Sequence, residues 1–198
     1  MVLLDPHGDL AEDIRKFDLN INPSRLVYVD PFFKKGYTPT INPLQVERKK
    51  TDVNFLEIFT QHLVSVFQEL LADAKLTNQM RAILTPCIAT LLNNYGNSLE
   101  DLQQFMRKNK NDRFIEMGRA SDIASHRKFF KHQFEESLYD YTKGSIYTKI
   151  QSLLNSNTFY NLVTGVSTID LEKELNKGKL VVFNLAKGKL GEECSVTF

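Results

Sequence analysis

The chain has 198 residues, 42% of them hydrophobic and 25% charged, with a formal net charge of +1. This composition suits a globular chain with a sizeable core, in one large domain or two small ones. The near-zero charge excludes whole-surface attraction to nucleic acid, and the lack of any run of about 18 apolar residues excludes a membrane-spanning helix.

Residues 1–46 read as α/β. Val2–Leu4 predicts a strand, Leu10–Phe17 a short helix, and Leu26–Asp30 a second strand closed by Pro31. A loop with Gly36, Pro39 and Pro43 as breakers follows. Residues 47–160 read as helical. Leu56, Phe59, Leu63, Val66, Phe67 and Leu70 recur at three- and four-residue steps, and Phe55, Ile58 and Val64 broaden that stripe, so packing against more than one neighbour is expected. A second stripe runs from Leu76 to Leu92 with Pro86 inside it, where a kink or split is expected, and Gly96 ends it. Ser98–Asp101 has the form of a capping box opening a third helix. Ile123, Phe130, Phe134 and Leu138 mark a fourth, and Ile146, Ile150, Leu153 and Leu154 a fifth.

Residues 161–198 return to α/β. Ser167–Asp170 caps a short helix carrying Leu171 and Leu175, and Asn176-Lys177-Gly178 makes a turn. Leu180–Leu185 is an apolar run without alternation, as expected of a parallel strand covered on both faces. Cys87 and Cys194 lie far apart in apolar contexts without metal or redox spacing, and read as reduced thiols of a cytosolic protein.

Asp5-Pro6-His7-Gly8-Asp9 is the sharpest motif. Gly8 allows a tight turn where a strand meets a helix, and Asp5, His7 and Asp9 gather at that edge. In the plain structural reading Asp9 only caps the helix. Asp-x-His also begins some metal sites, but the remaining histidines, His62, His126 and His132, all fall on predicted helices, so no metal is expected. The loop Lys187-Gly188-Lys189 after the last strand suits an anion or is a solvated turn. Arg119, Arg127, Lys128 and Lys131 give a basic helical face that would attract nucleic-acid phosphates, unless Glu135 and Glu136 simply partner it. The chain contains no G-x-x-x-x-G-K-[ST], no apolar strand ending in Asp-Glu, and no arrangement that suggests a nucleophile.

The order VLLDPHGDLAEDI, LVYVDP, INPL, SIYTKIQSLLNSNTFYNLVTG, LNKGKLVVFNLAKGKLGEE resembles the conjugative coupling proteins of type IV secretion and their HerA/FtsK-type DNA-translocating relatives. The resemblance spans nearly the whole chain and is weakest over about residues 51–140. It implies a helix-dominated α/β fragment of a RecA-like P-loop motor domain with a large all-α insertion. The partial core would be 1–46, the insertion 47–160, and the return to the core 161–198. Asp5, His7, Gly8 and Asp9 would stand near the γ-phosphate and attacking water, with Lys187 and Gly188 in a loop after a core strand. The insertion would face DNA or a relaxase.

A full-length relative would be an ATPase using ATP and Mg²⁺, assembled as a hexameric ring, in the cytoplasm or at the inner face of the bacterial membrane. The phosphate loop would precede Met1 and the Walker B acids would follow Phe198, so the expectation is a fragment, or the product of a truncated gene, that holds no cofactor and hydrolyses no ATP by itself. The alternative is a stand-alone helical protein-interaction module with no motor activity. A module predicts a stable monomer, whereas a fragment predicts exposed strand edges and self-association.

Overall fold

The computed structural model describes residues 1–17, 23–34, 37–46, 53–70 and 78–186. They fall in two compact units, Met1–Ile41 with Asn155–Phe198, and Asn42–Leu154. The architecture is helix-dominated with one small parallel sheet.

The first unit holds β1 (Val2–Asp5), α1 (Asp9–Phe17) and β2 (Leu26–Val29), and, after the second unit, α8 (Asn157–Val163), α9 (Leu171–Asn176) and β3 (Leu180–Asn184). The strand order is β1-β3-β2, all parallel. Phe183 lies opposite Leu4 on one side and Val29 on the other. The apolar run of β3 takes the central place, paired along both edges, and four of its five residues are buried. The outer strand β1 leaves Val2 and Leu4 nearly half exposed.

Asp170, and not Ser167, caps α9, its carboxylate accepting the Lys173 N–H at 2.9 Å. Gly178 then reverses the chain into β3 with φ at +73°. The segment leaving this unit is tied to the segments that return. Ile41 N–H donates to the Leu162 carbonyl at 2.6 Å, and Thr168 N–H to that of Thr40 at 2.9 Å.

The second unit is helical: α2 (Val53–Leu70), α3 (Asn78–Asn93), α4 (Leu99–Phe105), α5 (Asp112–Arg119), α6 (Ala124–His132) and α7 (Asp140–Leu154). Ile83, Leu84, Ile88, Leu91, Leu102, Ile146 and Ile150 are fully buried. Beside them Phe105 stacks on Phe114 and Phe130 at 5.1 and 5.5 Å, with Phe134 edge-on at 5.4 Å. Each such side chain stabilises the fold by about 1.5–3 kcal/mol through the area it removes from water. At the Ser98 turn the Asp101 carboxylate accepts both the backbone N–H of Ser98, at 2.8 Å, and its hydroxyl, at 3.2 Å.

Three expectations need correction. Helix α3 is not split at Pro86: it continues from Asn78 to Asn93, because the residues around the proline are buried and hold the helix together against the lost hydrogen bond. The second stripe's first residue, Leu76, lies outside the described residues. Helix α2 packs principally on α3, and of the residues that broaden its stripe Val64 is buried while Phe55 and Ile58 stay exposed, as does Val66. Residues 119–138 are not one helix. Arg119 ends α5, Ile123 caps α6, and Phe134 and Leu138 lie beyond α6, where the chain turns to seat Phe134 in the aromatic core.

Candidate functional site

The carboxyl end of the sheet is built from the last residues of its three strands. Asp5 ends β1 and is buried. One of its carboxylate oxygens accepts the His7 N–H at 3.0 Å and the other the Ala11 N–H at 2.8 Å. Burial pushes the Asp5 carboxyl upward, but the amides of Ala11, Gly8, His7 and Leu10 more than offset this and hold it below its ordinary value. Asp5 therefore gives an acceptor to amides at the start of α1 that have no partner within the helix. His7 and Asp9 stand exposed on either side of buried Gly8.

Asn184, at the end of β3, is 2% exposed and links the strands. Its amide nitrogen donates to the Tyr28 hydroxyl at 2.9 Å and to Asp30 at 3.3 Å, and its oxygen accepts the Ala186 N–H at 3.3 Å. Tyr28 donates onward to Glu12 at 3.2 Å, and Glu12 is paired with Arg15 at 2.8 Å. Burial raises the Tyr28 phenol, with the charges of Glu12 and Asp30 adding to it. Gly8 has φ at +89°, and a β-carbon there would lie 2.8 Å from the Asn184 oxygen. The motif glycine and the strand-end asparagine are thus in close approach.

The DPHGD motif comes together as one edge. Asn184, Tyr28 and Glu12 join it without a local sequence signal, apart from one polar residue closing an apolar run. Lys187 and Gly188 lie outside the described residues, as does Cys194. Among the described residues, no three His, Cys, Asp or Glu side chains cluster so as to hold a metal ion, and no helix is long and apolar enough to cross a membrane. Cys87 is wholly buried, which raises its thiol well above the ordinary value and keeps it unreactive.

The basic residues divide. Arg119 pairs with Glu116 at 2.6 Å and Glu135 at 2.8 Å. Arg127 folds back onto the carbonyls of Ser121, at 2.5 Å, and Asp122, at 2.9 Å. Lys128 and Lys131 are exposed and form no ion pair among the described residues. Of the four cations, two serve to fasten the loop between α5 and α6, and two remain open to an anion.

No family model, curated protein or solved structure matches this chain.

Proposed function

We propose that this chain is a segment of an ATP-driven DNA translocase of the conjugative coupling type, comprising part of the motor sheet and its helical insertion. One observation carries the reading. The returning strand seats itself in parallel between β1 and β2, so that Asn184 reaches Asp30, 154 positions earlier, at the edge that bears the DPHGD turn. An α/β sheet binds its ligand outside the carboxyl ends of its strands. On this reading Asp5 is a positioning residue that fixes α1. His7 and Asp9 are the groups presented toward the terminal phosphate of ATP. The P-loop and the Mg²⁺ carboxylates come from outside these residues, and Lys128 and Lys131 of α6 meet DNA phosphates.

The test is to read and express the coding sequence on either side. The expected product carries a G-x-x-x-x-G-K-[ST] upstream and a strand ending in Asp-Glu downstream, and it hydrolyses ATP faster with DNA. His7→Ala and Asp9→Asn should each lower kcat by roughly tenfold or more with little change in KM. Lys128→Glu with Lys131→Glu should weaken DNA binding and flatten its salt dependence. If neither motif flanks the chain, the motor reading fails and the helical interaction module takes its place.

A further inference from the structure

The helical unit contains a cleft of about 380 Å³ between the loop joining α4 to α5 and one face of α7. Arg107 and Lys108 line it from the loop, and Asp140, Lys143, Gly144 and Tyr147 from the helix. Asn109, with φ at +64°, turns the loop back, closed by a bond from the Lys110 N–H to the Arg107 carbonyl at 3.3 Å.

Charge in the cleft is unbalanced. The Asp140 carboxylate serves two cations, Lys108 at 2.7 Å and Lys143 at 3.2 Å, and the two lysines hold it below its ordinary value. Lys143 is only 5% exposed, with its ammonium fixed by the Phe134 carbonyl at 2.9 Å and lying over the Phe134 ring. Arg107 is exposed, and its guanidinium has no hydrogen bond or ion pair among the described residues. Three cations therefore face one carboxylate, and one of them is anchored in the core and cannot swing away. A carboxylate ligand would leave part of that excess unmatched, whereas a phosphate monoester, with about two charges at neutral pH, would match it. An Arg fork beside lysine point charges also suits phosphate oxygens.

The geometry points to a phosphate-binding site in this cleft, for the phosphate of a free nucleotide or of a nucleic-acid strand. It goes beyond the translocase reading and does not rest on it, since it uses none of the residues to which that reading gives a role.

The test uses the full chain and two probes, inorganic pyrophosphate by calorimetry and a fluorescein-labelled oligothymidylate by anisotropy. Arg107→Glu reverses the open charge at an exposed position. Gly144→Glu places a carboxylate in the cleft, where a β-carbon meets nothing within 4 Å. Each should weaken binding by about tenfold or more, and more steeply at low salt. Lys173→Glu, in the other unit, is the comparison charge-matched to Arg107→Glu and should change binding no more than about twofold. Circular dichroism checks that all three fold. Pyrophosphate binding that the cleft variants weaken assigns the site to free phosphates, and oligonucleotide binding alone so weakened assigns it to a strand. The proposal is overturned if neither probe binds the wild-type chain, or if both folded cleft variants bind as the wild type does.

Discussion

The ring of Phe130 lies against the Cα of Gly118, in the space that a β-carbon at that position would fill. This contact brings α5 and α6 close together and lets Phe130 reach Phe105 in the aromatic core. Gly118→Ala should therefore destabilise by about 1–3 kcal/mol, although alanine is normally the better helix former. Gly144, inside α7, faces open space, so Gly144→Ala should stabilise by about 0.5–1 kcal/mol. Urea midpoints of the two variants should move in opposite directions, and movement in the same direction would refute the contact.

Gly8 poses the same question at the sheet edge, with backbone conformation added. Its φ of +89° disfavours any side chain, and an added β-carbon would also lie 3.0 Å from the Ala186 β-carbon. Gly8→Ala should cost about 1–3 kcal/mol. It should also shift the Asn184 side-chain amide signals in a proton–nitrogen correlation spectrum. A stability loss without that shift would place the strain elsewhere in the turn.

Asp5 tests whether the motif's first acid acts through structure. Asp5→Ala removes the acceptor for the His7 and Ala11 amides and should cost about 2 kcal/mol. Asp5→Asn keeps one acceptor oxygen and should cost about half as much. Hydrogen exchange at the Ala11 amide should speed up in the same order. Equal loss in both variants would mean that charge, and not hydrogen bonding, holds the turn.

The sheet was legible because its information is local. An uninterrupted Leu-Val-Val-Phe run reads as a doubly covered strand wherever it stands, and the two outer strands carried breakers beside them. The helical unit was legible as stripes but not as a packing arrangement. The stripe of α2 looked broad enough for several neighbours, yet Ile58 is 56% exposed, since periodicity does not say which apolar residues find a partner. The break between α5 and α6 was hidden because the basic residues there continue across it, and it is fixed by Arg127 folding back on two carbonyls. Asn184 was hidden for a related reason. Its partners are Tyr28 and Asp30, and only the assembled sheet brings them together.

His126, on α6, links that same region to pH. Its ring is half-buried, and its Nδ1 is buried with no hydrogen-bond partner among the described residues. Burial lowers its pKa below the ordinary 6.5, and the charge of Glu57 opposes this without reversing it. In the interval between the two values the unfolded chain binds more protons than the folded chain, so stability rises with pH there. The His126 contribution is accordingly complete above about pH 6.5 and is lost as the pH falls through the lowered folded value. Urea midpoints should drop between pH 7.5 and pH 5, and His126→Phe, which has no ring nitrogen to protonate, should show a smaller drop. Glu57→Gln removes the opposing charge, lowers the folded value further, and should deepen the loss. Parallel pH slopes in all three proteins would show that His126 does not couple folding to protonation, and that the acid response arises at other groups.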